Sequence, residues 1–417
     1  MLLLYRLPKR IHPRQHIIKR AISAITASIT KGNTMNIHTV REGEGIFDIA
    51  RSYLKPPSKI IEENDLDADR LVKGQELLIL TPTRSFTVRG GDTLGGICHK
   101  FGIKKKVLVR NNPYLWQSEA LRPGQILTVK LDAPSLGSQA SLGFYHRGCS
   151  NEKLMRAMPH LTYLCICSAE IKGERAYHFF PDSQILEYAR TDGKISLLGI
   201  EDVTEGEFLE HKESVIESVL ALAKRGYKGV YLRAPEAARR RRKEFCEFLF
   251  LLRKRFIGCD LILFSEVADD GDKDASDLSD GGDLISTDSS VLERYAEGCE
   301  SGKTFIRLPT HATIEGGPFT DVKSALGIAY RTGSHIERQS GSDDCFFRYK
   351  RYKKGEGVTE TVSFPSLFTT RAKMALAAEL GYMGFSFDIS SMPVSYLAML
   401  NSEFSRADYS LVLSAGI

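Results

Sequence analysis

Residues 86–98 read Phe-Thr-Val-Arg-Gly-Gly-Asp-Thr-Leu-Gly-Gly-Ile-Cys, and residues 37–50 read Ile-His-Thr-Val-Arg-Glu-Gly-Glu-Gly-Ile-Phe-Asp-Ile-Ala. Each stretch opens with an alternating apolar run, passes through a Gly-containing turn and continues with apolar residues at helical spacing. A second helical pattern, an Asn and a closing apolar run follow in both cases. Such internal repetition predicts two small modules, each ordered strand–helix–helix–strand.

The limits of the two modules follow from their closing strands. These strands are predicted over 72–79 and 122–129, which places the modules at 35–81 and 84–131. Asp92 and Thr93 fit the start of a helix, because short side-chain oxygens satisfy the free backbone N–H groups there.

Both repeats resemble LysM domains, which bind glycans containing N-acetylglucosamine. The second copy keeps the family's Gly-Asp-Thr-Leu (91–94) and Pro-Gly-Gln (123–125), whereas the first has Glu44 and Gly45 for Asp-Thr and Lys73 for Pro. The resemblance implies a sugar groove between the first strand–helix loop and the second helix–strand loop. The glycan-binding residues that it implies are Gly43, Glu44, Gly45, Ile46, Asn64, Asp65, Leu66, Gly91, Asp92, Thr93, Leu94, Asn112 and Pro113. For Ile46 and Leu94, packing in the module core is an equally good interpretation.

A turn-rich segment at 132–141 is predicted to be a linker, and the remainder, 142–417, alternates short apolar runs with helical stretches. Eight buried-type strands separated by helices predict a (β/α)8 TIM barrel. The whole chain is therefore expected to be α/β, with the barrel preceded by two small α+β modules. The predicted strands are 142–146, 163–168, 195–200, 229–234, 261–266, 283–287, 305–308 and 384–388.

The barrel resembles family 18 glycoside hydrolases, especially the bacterial spore cortex-lytic type with N-terminal LysM repeats. The stretches that carry the resemblance are 226–232, 345–349, 361–364 and 370–387. The family's fourth strand reads Asp-Gly-x-x-x-Asp-x-Glu, in which the Glu is the proton donor and the second Asp orients the substrate's N-acetyl group. Here the two Asp positions hold Lys228 and Arg233, and the Glu position holds Pro235. Pro has no proton to donate, and Arg stays protonated.

Glu236 lies one residue beyond the expected acid. A one-residue shift on a strand points a side chain to the opposite face, although a bulge could re-aim it. Three functions therefore stay open. The chain is a glycan-binding protein with an inactive barrel, an active N-acetylglucosaminidase on cortex peptidoglycan that uses Glu236 or another strand-end carboxylate, or a barrel that serves as a scaffold for protein assembly.

Other polar residues fall near the predicted carboxyl ends of the strands, where barrel enzymes carry their active sites. Paired carboxylates there could transfer protons or hold a cation, or they could simply be solvated and salt-bridged. The candidates for the barrel mouth are His146, Glu170, Glu201, Arg233, Glu266, Asp288, His311 and Asp388.

The charge and composition of the chain narrow the classes of partner and cofactor that we expect it to bind. Of the 57 Lys and Arg residues, seven lie in the basic extension 1–34, which leaves 50 against 52 acidic residues and argues against nucleic-acid binding. That extension could be untranslated in vivo, with synthesis beginning at Met35. The eight cysteines have no zinc spacing, so we expect no metal or other cofactor, and Cys165 and Cys167 share one strand face.

The expected location follows from the same residues. No apolar run is long enough for a membrane span or a secretory signal, so synthesis in the cytoplasm is expected. The family resemblance implies peptidoglycan or another N-acetylglucosamine-containing glycan as partner, with spore-coat proteins as further partners. It also implies a location in the spore coat, the cortex or the cell wall.

Overall fold

The structure is a computed structural model that describes residues 35–67, 70–116, 120–131, 136–267, 278–285, 289–298, 301–338, 344–353 and 356–406. The basic extension 1–34 and the predicted mouth residue Asp288 lie outside the described residues. Within the part of the chain that is described, no helix is long and apolar enough to cross a membrane.

The first repeat folds as a βααβ module. Its elements are β1 (Met35–Thr39), α1 (Ile46–Ser52), α2 (Pro57–Asn64) and β2 (Glu76–Leu80). β1 and β2 pair antiparallel, with Met35 opposite Leu80. The two helices cover one face of this ribbon, and the buried side chains between them are Ile46, Ile49, Ile60, Leu77 and Ile79.

The second repeat has the same element order. Its elements are β3 (Arg84–Thr87), α3 (Leu94–Phe101), α4 (Lys105–Asn111) and β4 (Ile126–Lys130). β3 and β4 pair antiparallel. Leu94, Ile97, Leu108 and Leu127 form its core. The apolar spacing of the sequence therefore predicted both modules correctly.

Eight parallel strands close into a barrel, which confirms the predicted fold class. They are β5 (Ser138–His146), β6 (Tyr163–Lys172), β8 (Ile195–Asp202), β9 (Gly229–Arg233), β10 (Ile262–Val267), β11 (Gly281–Leu284), β12 (Thr304–Arg307) and β18 (Gly384–Asp388). β18 pairs with β5 to complete the ring. β6 also forms an antiparallel hairpin with β7 (Arg175–His178) beyond the barrel wall.

Several predicted strand limits were wrong, among them the starts of β5 and β11. The segment 132–141 is not all linker, because β5 already begins at Ser138, where it pairs with β19 (Ser405–Arg406). β11 begins two residues before the predicted Asp283. A Cβ atom on Gly281 would lie 2.6 Å from the Phe264 ring, so glycine is required at this position, where Phe264 fills the barrel.

Helices cover the outside of the barrel. They are α5 (Asn151–Ala157), α6 (Ser183–Thr191), α7 (Lys212–Ala223), α8 (Pro235–Arg240), α9 (Arg242–Ile257), α10 (Ser289–Gly298), α12 (Leu367–Glu379) and α13 (Val394–Glu403). Their inner faces and the outward-facing strand residues form the main apolar core. A second core fills the barrel itself, with Tyr163, Phe264 and Phe305 in mutual ring contact.

An inserted subdomain between β12 and β18 was not predicted. It contains a five-stranded antiparallel sheet and the helix α11 (Val322–Thr332). Its strands, in the order 14-13-17-16-15, are β13 (His311–Ile314), β14 (Phe319–Asp321), β15 (Glu337–Arg338), β16 (Asp344–Lys353) and β17 (Glu356–Pro365). The first module packs against both this insertion and the barrel.

Candidate functional site

The first strand–helix loop has the same backbone in both modules but different side chains. Gly43 and Gly91 both adopt left-handed conformations, with φ of +73° and +87°, which favour glycine. The Glu44 carboxylate accepts the Arg41 N–H at 2.9 Å, and the Asp92 carboxylate accepts the Arg89 N–H at 2.7 Å. Both loops therefore present an exposed glycine beside a carboxylate that is held in place.

The helix that follows each loop begins differently. Thr93 caps α3, because its hydroxyl accepts the Gly96 N–H at 3.1 Å. At the matching position of the first module, Gly45 has no side chain to offer. There the Asp48 side chain accepts the Gly45 N–H at 3.1 Å instead, so a residue within α1 caps the start of its own helix.

Ile46 and Leu94 are core residues. Their exposed fractions are 1% and 3%, and each packs within the apolar cluster of its own module. Of the two interpretations given for these side chains, packing is the one that their burial supports.

Asn64 and Asn112 act as internal braces rather than exposed sugar ligands. The Asn112 amide donates to the carbonyls of Leu108 and Thr128 and accepts the Thr128 N–H, each at 2.8 Å. Asn64 makes the equivalent bonds to Ile60 and Leu78. These contacts use the amides to tie the second helix to the closing strand, which explains why an Asn stands there in both copies.

Asp65 and Leu66, in the second loop of the first module, line a cavity of about 440 Å³. The cavity lies between this module, the insertion and the barrel. Asp65 is in the left-handed region and pairs with Arg156 of α5 at 3.4 Å and Lys323 of α11 at 3.3 Å. This predicted groove residue is therefore engaged by the neighbouring domains. In the second module, Pro113 opens a short 3-10 helix that packs against α5.

Three predicted mouth residues come together at the ends of neighbouring strands. Arg233 of β9 donates to Glu201 of β8 at 2.8 Å and to Glu266 of β10 at 3.0 Å. Burial raises the pKa of Glu266, and the adjacent Arg233 opposes that effect. The guanidinium thus stands between two carboxylates at the position where the resemblance implies an assisting Asp.

A deeper layer of the mouth was not predicted from the sequence. Arg307 pairs with Asp283 and donates to the Tyr231 hydroxyl at 2.8 Å, and its guanidinium lies 4.4 Å from the centre of the Phe144 ring. Ser386 donates to the other Asp283 oxygen. Alternation on β12 could have revealed Arg307, since it shares a face with Phe305. Asp283 was missed because it was predicted to be the first residue of its strand, whereas it lies near the carboxyl end of β11.

The opposite side of the mouth carries His146, Cys167 and Asp388. His146 lies 3.6 Å from the Asp388 carboxylate and is directly opposite Cys167 in the β5–β6 register. The Cys165 and Cys167 sulfurs are 4.0 Å apart, so the two residues share one strand face as predicted, and that face belongs to the core inside the barrel. Glu170 is in register with the mouth residue Glu201 of β8 on one side and with Tyr177 of β7 on the other. His311 is exposed on the insertion sheet.

Glu236 sits in the first turn of α8 rather than on β9. Its carboxylate pairs with Arg239 at 2.6 Å and Arg240 at 2.8 Å, both on its own helix. The hydrogen bond from Arg239 lowers the pKa of Glu236. A general acid needs a raised pKa near the working pH, so this environment favours the opposite protonation state.

Comparison with known proteins decides what the repeats are. A model of the LysM domain matches residues 38–80 and 86–130. Both repeats are LysM domains. We call the first LysM1 and the second LysM2.

Two curated relatives come from Bacillus subtilis (strain 168). Cell wall-binding protein YocH is 30% identical over 99 residues, which are 22% of this chain and 33% of YocH. The protein named "Putative sporulation-specific glycosylase YdhD" is 27% identical over 247 residues, which are 53% of this chain and 55% of YdhD. The chain therefore spans between a third and about half of the length of these relatives.

Two solved structures match most of this chain, and a third matches about two thirds of it. Spore cortex-lytic enzyme SleL of Bacillus megaterium QM B1551 has a TM-score of 0.69 at 18% identity, over 90% of this chain and 99% of SleL. SleL of Bacillus cereus has a TM-score of 0.68 at 20% identity, over 89% and 99% of the two chains. A chitinase from Chromobacterium violaceum ATCC 12472 matches 64% of this chain and 99% of its own, with a TM-score of 0.58 at 13% identity. At these identities the similarity establishes the fold.

Proposed function

We propose that this chain binds peptidoglycan, or another glycan containing N-acetylglucosamine, at the bacterial cell wall or spore envelope without hydrolysing it. LysM1 and LysM2 anchor the protein through the exposed loops that carry Gly43 to Gly45 and Gly91 to Thr93. The barrel adds a polar mouth that can contact the glycan but lacks a positioned acid. The names of the relatives YocH and SleL support the location and the class of polymer.

The observation that carries the proposal is the ion pairing around Arg233. This cation occupies the place where a family 18 enzyme holds the Asp that assists the N-acetyl group, and it is fixed by Glu201 and Glu266. Pro235 stands where the proton donor is expected. Glu236, the next carboxylate along the chain, is ion-paired on the outside of α8. Losing a positioned general acid costs about 10²–10⁴-fold in rate, and the missing Asp adds to that loss.

One observation favours a second candidate, an active glycosidase that uses Glu266. Its side chain is 8% exposed at the mouth, and burial raises its pKa, as a proton donor requires. Against this role, Arg233 donates to the same carboxylate at 3.0 Å and stabilises its ionised form. Arg233 would have to move away for Glu266 to protonate a leaving group.

Muropeptide analysis separates the two candidates. Purified residues 35–417 are incubated with spore-cortex peptidoglycan, and soluble fragments are resolved by mass spectrometry. We expect no new reducing ends from the wild type, from Glu236→Gln or from Glu266→Gln, while all three sediment with the glycan. Fragments that the wild type releases and Glu266→Gln does not would overturn the proposal and make Glu266 the acid. Fragments lost only in Glu236→Gln would assign that role to Glu236.

A further inference from the structure

The cavity between LysM1, the insertion and the barrel has a lining of two kinds. Its volume of about 440 Å³ lies within the range of about 300–1,000 Å³ that is usual for ligand sites. One part of the lining is apolar and comes from all three bodies, with Leu66 of LysM1, Leu326 of α11, and Val394 and Leu397 of α13. Much of the remainder is charged. A ligand that fits both parts needs an apolar body and charged groups.

The carboxylates of this lining are already engaged by neighbouring groups. They are Asp65, Asp67, Glu76 and Asp321. Lys323 lies 3.3 Å from the Asp65 carboxylate and 3.1 Å from that of Asp67. Arg156 also pairs with Asp65, at 3.4 Å. Backbone N–H groups in the first turns of α12 and α11 donate to Glu76 at 2.6 Å and to Asp321 at 2.7 Å. These acids therefore have their own partners and leave little negative charge for a ligand.

Three cations of the lining are not neutralised in this way. They are Arg70, Lys153 and Arg331, and no carboxylate of the described residues pairs with any of them. Arg70 of LysM1 lies over the Tyr330 ring, 5.6 Å from its centre. The Lys153 amine donates to the Ser390 carbonyl. All three cationic side chains are exposed, so the cavity presents positive charge to a ligand that enters it.

A glycine on α11 determines where one of these charges lies. The Nη1 atom of Arg331 is 3.2 Å from the place that a Cβ atom on Gly327 would take. The guanidinium therefore folds back by about one helical turn, over a residue that itself lines the cavity. This position holds the charge beside the cavity.

Part of LysM1 that is expected to bind sugar belongs to the same lining. Asp65 and Leu66 lie in the loop after α2, which is the second of the two loops that the family resemblance implies for the glycan. A glycan held by LysM1 would lie beside the cavity, and a group attached to that glycan can enter it. In peptidoglycan the attached group is a stem peptide, which carries free carboxylates and the methyl groups of alanine.

We propose that the cavity binds the stem peptide of a peptidoglycan strand whose sugars lie on LysM1. The stem carboxylates pair with Arg70, Lys153 and Arg331, and the alanine methyl groups pack against the apolar part of the lining. This inference rests on the proposed function, because LysM1 must hold the glycan. It adds a preference for glycan that carries its peptides over glycan that has none.

The size of the expected preference follows from the exposure of the three cations. Each exposed ion pair changes a binding constant by about threefold, so the loss of two pairs should cost about tenfold. Salt screens such pairs over a distance of about 8 Å at physiological ionic strength. The preference should therefore be largest in low salt and shrink as salt is added.

Isothermal titration calorimetry of the intact chain tests the preference with two soluble ligands. One is a peptidoglycan tetrasaccharide that carries its stem peptides, and the other is the same tetrasaccharide after an amidase has removed them. In low salt we expect the wild type to bind the first about tenfold more tightly. The double variant Arg70→Gln/Arg331→Gln should lose most of this preference and bind the bare tetrasaccharide as the wild type does. The matched control Lys224→Gln/Arg225→Gln removes two exposed charges after α7 and should keep the preference.

The bare tetrasaccharide separates failure of this inference from failure of the proposed function. Equal affinity of the wild type for the two ligands would overturn the inference and leave glycan binding intact. A preference that survives in Arg70→Gln/Arg331→Gln would do the same. Equal losses for both ligands in that variant would also count against the inference, since they would mean that the two arginines support the fold of LysM1. If the wild type binds neither ligand, the proposed function is wrong and the inference falls with it.

Discussion

LysM1 and LysM2 share one fold, yet only LysM2 retains the residues typical of the family at its closing turn. Val72, Gly74 and Glu76 of LysM1 correspond to Arg122, Gly124 and Ile126 of LysM2. Val72 is 5% exposed in the core of the insertion, whereas Arg122 is exposed. LysM1 thus differs from LysM2 at positions where its side chains contact the rest of the protein.

Glu76 gives the clearest example of this adaptation. Its carboxylate is 6% exposed and accepts the Leu367 N–H at 2.6 Å, the Ser366 hydroxyl at 3.0 Å and the Arg338 guanidinium at 2.6 Å. It therefore satisfies the first turn of the barrel helix α12 from outside the barrel. Glu76, a charged residue at the start of the closing strand β2, therefore anchors LysM1 to the barrel.

The largest expected effect is from Glu76→Gln. The substitution removes the charge that Arg338 and the α12 terminus share, and we expect it to weaken the docked state of LysM1 by about 3 kcal/mol. Native-state hydrogen exchange of the β2 amides measures this opening. Glu42→Gln is the matched control, because its pair with Lys73 is exposed, and it should leave β2 exchange unchanged. Equal exchange in both variants would mean that Glu76 does not anchor LysM1.

Asn64→Ala and Asn112→Ala test whether the two modules share one internal brace. Each removes an amide that satisfies three backbone groups, so each should destabilise its own module by about 2 kcal/mol. The loss is measured as faster amide exchange in β2 for one variant and in β4 for the other. A loss of glycan binding with unchanged exchange would instead make these Asn residues sugar ligands.

Substituting the two glycines of the closing turns separates the contribution of LysM1 docking to stability from the backbone strain that both positions share. Gly74 and Gly124 both have φ of +85°, so Ala costs similar backbone strain at each. At Gly74 the added Cβ would also lie 2.0 Å from the Ile336 carbonyl oxygen, while at Gly124 it meets nothing within 4 Å. We expect Gly74→Ala to cost about 1–2 kcal/mol more than Gly124→Ala in chemical denaturation followed by amide exchange. Equal costs would show that the LysM1 turn is not pressed against the insertion.

The smallest expected difference concerns the helix starts. Thr93→Ala removes the hydroxyl that caps α3 and should cost LysM2 about 1 kcal/mol. Gly45→Ala in LysM1 removes no cap and should have a smaller effect, since Asp48 provides the bond there. Amide exchange in the first turns of α1 and α3 compares them. A larger effect at Gly45 would contradict the assignment of Asp48.

Local sequence patterns predicted the helices and strands well, but they did not predict which distant residues contact one another. The short apolar runs of β5, β6 and β9 placed the barrel strands, because a strand that is covered on both faces needs apolar side chains at successive positions. Glu76 meets Arg338, and Asp65 meets Arg156, only after distant segments pack, and no local pattern specifies such contacts. At the mouth, the resemblance to family 18 directed attention to Arg233 and Pro235. Asp283 was missed because of a two-residue error in β11, whereas the alternation on β12 could have revealed Arg307.

The most direct test of the central claim reads binding and cleavage in one sample. The intact chain is mixed with insoluble spore-cortex peptidoglycan, and the sedimented protein and the soluble muropeptides are followed together over time. We predict that the protein enters the pellet, that soluble N-acetylglucosamine oligomers release it, and that the soluble muropeptides stay at the level of a protein-free control. Protein that stays in solution, or muropeptides that accumulate with wild-type protein, would contradict the account.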